Sequence, residues 1–231
     1  MPRDREQCAP HAAGYRAAIK VRLMHAYARV AVRESGTWNT HEWGEPINQW
    51  DMVATNLGFS LAYLDGLRSL GFRPDDAEVE GLLHFWKYVG YLLGIPPQYL
   101  PDTEVEAIRT LYHWTITQPP ADADTRTLAR ALLDEPLSSK YLPFMWMKRM
   151  LRKTHLAYNH FFLGERSCTT MGLPATRIPW YPKLARALQS TFQRLVNRSP
   201  RVHRFSARLG RKAQLRIMNL FLGRPAGAEV E

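Results

Sequence analysis

Residues 15–33 read YRAAIKVRLMHAYARVAVR. Val21, Met24, His25, Ala28 and Val32 recur there at the i, i+3, i+4, i+7 spacing that gathers side chains on one face of an α-helix. The stretch therefore predicts an amphipathic helix ending before Ser35-Gly36. The same period governs the rest of the chain, whereas strand-like alternation and hairpin dipeptides are nearly missing, so the fold class expected is all-α. A loop rich in Trp and His over 37–45 leads to a second helix, 46–70, with Pro46 in its first turn and Gly71 closing it. Pro74-Asp75-Asp76 opens a third, whose Val79, Leu82, Phe85, Val89 and Leu92 form an apolar stripe up to Gly94. Asp102 or Thr103 caps a fourth, with Val105, Ile108, Leu111 and Tyr112 turned inward.

Pro119-Pro120 breaks the pattern. A short helix near 125–134 follows, then a longer one over 138–163 kinked near Pro143, and two strongly basic helices over 183–197 and 202–222. No internal repeat or low-complexity linker interrupts the chain, which predicts a single-domain helical bundle.

The 231 residues, 45% of them hydrophobic, suffice for one sizeable core and exclude a disordered, collagenous or disulfide-scaffold chain. The net charge of +10 is unevenly placed: residues 1–139 carry 13 basic and 18 acidic side chains, and residues 140–231 carry 18 and 3. The basic excess thus belongs to the last two fifths. Aromatic anchors such as Phe144 and Trp146 stand beside Lys148 and Arg149 there, a composition suited to an anionic membrane surface. No helix-turn-helix, RNA-binding sheet or zinc module accompanies these cations, which argues against a nucleic acid partner. Cys8 and Cys168 are the two cysteines and lack zinc-ligand spacing, which fits a reducing cytoplasm. The first twenty residues are charged rather than apolar, unlike a secretory leader, and no apolar run reaches the roughly 18 residues a spanning helix needs. The expected location is cytoplasmic, with peripheral contact at a membrane.

Chemistry-bearing residues concentrate between Arg16 and Gly94. His25 has Arg22 three residues before it and Arg29 four after, one helical turn each way, so the trio can frame an imidazole ligand with two cations for an anionic cofactor edge. The alternative is a hydrogen-bonded core histidine. Asp51, Thr55, Gly58 and Ala62 form a stripe of small and polar side chains that admits either a neighbouring backbone or the flat face of a cofactor. Asp51 would need a partner, for which Arg22 or Arg29 is available. His84, between Glu80 and Lys87, is expected on a helix edge, and His41 in the Trp-rich loop. There is no nucleophile elbow, P-loop or dinucleotide fingerprint, and His155 and His160, five apart, do not share a helix face as a hydrolytic metal pair would.

Five motifs occur in order: VRLMHAYAR at 21–29, W-x-x-x-x-W-G-x-PINQ-x-DM-x-x-T at 38–55, FS at 59–60, LDGLRSLG at 64–71, and WKYVGYLLGI at 86–95 followed by Leu100-Pro101. Together they resemble the MpaB-type oxygenase family, which shares its catalytic domain with the rubber oxygenases called latex clearing proteins. The likeness covers about 14–116, and FLGERSCTTMGLP at 162–174 resembles the family more loosely. The resemblance implies a globin-reminiscent all-α domain over 14–174, with the basic helices of 175–231 packed on it. It further implies haem b and dioxygen, used to cleave carbon-carbon double bonds of an apolar isoprenoid or lipid-like substrate.

By the same resemblance Arg22 matches an arginine next to the haem, and His25 matches a distal polar residue able to reach the iron. The position of the proximal histidine falls close to Thr55-Asn56, where this sequence has none. No histidine lies between His41 and His84. The expected haem site therefore comprises Arg22, His25, Arg29, Asp51, Thr55, Asn56 and Gly58, with His25 on the iron and Arg22 and His25 as the catalytic pair. The alternative is a membrane-surface protein that keeps the scaffold without the haem chemistry. The family usually has additional helices before its first motif, where this chain has twenty residues.

Overall fold

The helix over 13–34 begins where Ala12, in extended conformation, turns the chain without a side-chain cap. The computed structural model describes residues 12–139, 142–196 and 198–221, and every regular element among them is helical. Cys8 lies outside the described residues. In order these are α1 Ala13–Glu34, α2 Thr40–Trp43, α3 Gln49–Leu57, a π-helical turn Gly58–Ala62, α4 Tyr63–Ser69, α5 Asp76–Leu93, a 3-10 turn Pro97–Tyr99, α6 Glu104–Thr117, α7 Ala123–Ser138, α8 Met145–Thr170, α9 Trp180–Val196 and α10 Pro200–Phe221. The all-α expectation holds.

Caps explain most boundaries. Asp75 and Glu78 form a reciprocal capping box that starts α5, and Gly94, at φ 95°, ends it in the left-handed conformation. Thr103 caps α6 through Glu106 N, and Asp122 caps α7 through Thr125 N. The second helix starts later than Pro46 suggests. Ile47 adopts φ 52°, which no helix continues through, and the side chain of Asn48 then accepts from Asp51 N.

The chain divides into two compact units, one of residues up to 65 plus 74–118, the other of 66–73 plus the residues from 119 onward. The division at Gln118 and Pro119 coincides with the Pro-Pro break. In the first unit α1 packs on α5, and α3 packs on both α5 and α6. Met52, Val53, Leu57, Leu61, Ile95, Leu100 and Ala107 form its main core, and Leu64, Val79 and Leu83 a second cluster. Leu57, Leu64 and Ile95 are almost wholly enclosed, each contributing about 2 kcal/mol. In the second unit α8 packs on α7 and α9, and α9 on α10, so residues 180–221 share a unit with α7 and α8. Its core is Leu133, Leu156, Cys168 and Leu173.

Two helical faces and one break differ from expectation. On α1 the covered side runs through Ala18, His25, Arg29 and Val32, while Met24 and Ala28 are exposed. On α6 the small Ala107 is buried, allowing close approach, and Val105, Ile108 and Tyr112 face outward. On α8 Pro143 precedes the helix, and the break falls instead at Gly164, whose φ of 77° is non-helical.

Candidate functional site

Within the first unit α1, α3, the π turn and α5 enclose a groove of about 1830 Å³. Small side chains on α1, Gly14, Ala17 and Ala18, leave room on one wall. Phe59, Phe85 and Trp86 furnish an aromatic wall, with Phe59 stacked on Trp86 at 5.0 Å and Phe85 edge-on to it at 5.7 Å. The π turn carries Phe59 of this wall in its second position, and Ser60 Oγ in the turn donates back to Asn56 O in α3. Single π turns in otherwise regular helices frequently mark functional sites.

His25, Asp51, Thr55 and Asn56 all line the groove. Nδ1 of His25 is buried without a hydrogen-bond partner. Asp51 is held from both sides, its Oδ1 accepting from Trp114 Nε1 at 3.0 Å and its Oδ2 from Asn48 Nδ2 at 2.7 Å. Neither arginine is its partner. Asn56, 5% exposed, donates Nδ2 to the carbonyl of Trp86 at 2.9 Å, tying α3 to α5. Thr55 Oγ1 donates back to Asp51 O.

Arg22, Arg29 and Gly58 are not among the lining residues. Arg22 lies over the end of α5: Nη1 reaches Leu92 O at 3.5 Å, and a Cβ on Gly94 would stand 3.0 Å from its guanidinium carbon. A cation there complements the carbonyl end of the helix. Arg29 ties α1 to the loop before α3, donating Nε to Pro46 O at 3.1 Å and Nη2 to Ile47 O at 2.6 Å. Gly58 has open space where a Cβ would go, so no backbone approaches it in this structure. The close approach occurs at Gly90, where a Cβ would stand 2.8 Å from Leu100 Cδ2 and 3.0 Å from Asn56 Nδ2.

His84 also lines the groove, at its exposed rim. Its Nδ1 lies 2.9 Å from Glu80 O. A carbonyl only accepts, so Nδ1 is the donor in this contact, and in the tautomer that donates there the ring lone pair is on Nε2. His41 is exposed on α2, away from the groove lining. Among the described residues no group of three or more His, Cys, Asp or Glu is placed to hold a bare metal ion. Of the aromatic wall, Phe59 and Trp86 fall in the FS and WKYVGYLLGI motifs and Phe85 in the apolar stripe of the same helix; the Trp114 bond to Asp51, spanning 63 residues of chain, had no local signal.

Residues 7–198 match the family model described as ER-bound oxygenase mpaB/B'/Rubber oxygenase, catalytic domain. The chain belongs to this family. The mpaB/rubber oxygenase likeness extends to a rubber oxygenase of Streptomyces sp. (strain K30), 28% identical over 102 residues, which are 43% of this chain and 25% of that protein. The fold matches a structure of latex clearing protein in the closed state with a TM-score of 0.65 at 22% identity, over 78% of this chain and 49% of that one. The chain thus matches about a quarter of the curated relative's full length and about half of the solved one's. As a member of the mpaB/rubber oxygenase family it has its groove inside the matched segment.

Proposed function

We propose that the groove binds haem b and that the chain is an oxygenase acting on an apolar isoprenoid or lipid-like substrate with dioxygen. The observation that carries this reading is His25 in the lining of a groove of about 1830 Å³, with its buried Nδ1 left without a hydrogen-bond partner. An orphaned imidazole nitrogen lacks the partner that buried polar atoms normally have, and an iron centre supplies one. The volume exceeds the roughly 300–1000 Å³ of ordinary small-ligand pockets, leaving room for a flat macrocycle beside an extended chain.

His25 would hold the iron. Haem in that position supplies oxygen activation, which no protein side chain provides. The chain's own residues then bind and orient: Phe59, Phe85 and Trp86 offer aromatic surface to an apolar chain and keep water from it. Asp51, fixed by Trp114 and Asn48, presents a carboxylate at the wall whose direction is already set. Arg22 and Arg29 act as positioning residues, the first on the end of α5 and the second on the turn into α3.

The test is an absorption spectrum of the purified protein, with haemin added where none co-purifies. A Soret band is expected, and His25→Ala should shift or abolish it. His84→Ala is the comparison, because its Nε2 is the other imidazole lone pair at the groove. No band in either preparation would sink the haem reading and leave the alternative, a scaffold kept for surface binding.

A further inference from the structure

We propose that α9 and α10 dock on an anionic lipid bilayer, lying in its interface with their apolar faces inserted. The inference is independent of what the groove holds. On α9 the usual arrangement is reversed. The side covered by the rest of its unit carries Pro182, Ala185, Gln189 and Val196, while Trp180, Leu184, Leu188, Phe192 and Leu195 are exposed, Leu188 at 64%. On α10, Val202, Phe205, Leu209, Ile217 and Leu220 are exposed, Phe205 at 67%, whereas Asn219 is buried. Both helices thus turn a row of large apolar side chains away from their own unit, and water is a poor neighbour for such a row.

Charge selects the occupant. Residues 180–221 contain ten Lys and Arg and no Asp or Glu. The ion pairs described elsewhere, Arg33–Glu45, Lys87–Asp102 and Arg152–Asp134, do not draw on these cations. Anionic headgroups match such a surface, each cation near it counting for about fivefold in partitioning, while Trp180 and Phe192 suit the depth just below the headgroups. A second copy of the chain fits worse. The seam begun by Val202, Phe205 and Leu209 continues at heptad spacing into Lys212 and Arg216, so self-pairing would line cations along the contact. Spanning is no alternative, since no described helix is long and apolar enough to cross a membrane.

The experiment is co-sedimentation of the full chain with phosphatidylcholine vesicles, with and without one third phosphatidylserine. Binding to the anionic vesicles alone is expected. Leu188→Glu combined with Phe205→Glu, both at exposed positions and checked for helicity by circular dichroism, should lower it at least tenfold. Lys212→Gln with Arg216→Gln should lower it about 25-fold, two charges at fivefold each. Equal binding to neutral vesicles, or binding unchanged by the glutamate pair, would overturn the proposal. So would a wild-type chain that ignores vesicles and forms a dimer which Leu188→Glu dissociates, or one that ignores vesicles and retains duplex DNA.

Discussion

Two glycines illustrate what a residue-level reading can and cannot reach. Gly58 and Gly90 both sit in helical sequence, and the small-residue stripe through Asp51, Thr55, Gly58 and Ala62 marks the first as a place for either a neighbouring backbone or the flat face of a cofactor. The structure puts open space at Gly58 and the amide of Asn56 against Gly90. Spacing along a helix shows that a gap exists on one side; which gap is filled depends on the partner helix, whose position no local pattern encodes. Gly90→Ala is expected to cost about 1–3 kcal/mol through overpacking, whereas Gly58→Ala should be neutral or stabilise by up to about 1 kcal/mol. Urea denaturation of the two variants measures both, and equal effects would contradict the packing described. His25 and Asp51, singled out in the sequence by their spacing, both line the groove. The Trp86 carbonyl that engages Asn56 was not legible in this way, because the bond joins positions 30 residues apart.

At the scale of the element, boundaries were more legible than orientations. Asp75, Gly94 and Thr103 act locally through caps, so sequence finds them. Of the inward face expected for α6, Leu111 packs on the core, but Val105, Ile108 and Tyr112 do not, because Ala107 contributes closeness rather than apolar bulk and hydrophobic periodicity weights bulk. Caps also carry a pH dependence. The backbone N–H of Thr125 and then its hydroxyl hold the Asp122 carboxyl below its ordinary 3.8, and the hydrogen bond and charge of Lys87 do the same for Asp102. A depressed folded pKa means stability that is present above the ordinary value and lost as pH falls through the lower one. Acid titration followed by far-ultraviolet circular dichroism should therefore show helix loss beginning below about pH 3.8. Asp122→Asn, which can still cap but does not ionise, should flatten the part due to α7. An unchanged profile would assign the acid limb elsewhere.

For the whole molecule the informative quantity is distribution rather than total. The groove lies within the first unit and the basic amphipathic helices within the second, and the charge divides inside the second unit, after α7. Composition exposed that division at once. It did not show that α9 turns its largest apolar side chains outward, since a buried and an exposed amphipathic face have the same period. The second unit has its own enclosed marker: Cys168 is fully buried and burial pushes its thiol up, so the reactive thiolate is scarce. Iodoacetamide should leave the Cys168 peptide unmodified in the native protein and alkylate it in denaturant. Rapid native labelling at that peptide would show that the Leu133–Leu156–Leu173 core opens readily.

The π turn at Gly58–Ala62 holds one residue more than a regular helix would use for the same advance. Its effect on the aromatic wall is therefore a matter of chain length, not of side-chain identity. Removing one residue there would let a regular helix make the same advance, so Tyr63 and Leu64 would keep their directions while the wall lost the bulge that carries Phe59. A single-codon deletion in this turn would therefore act on the aromatic wall and leave the helix that follows in register.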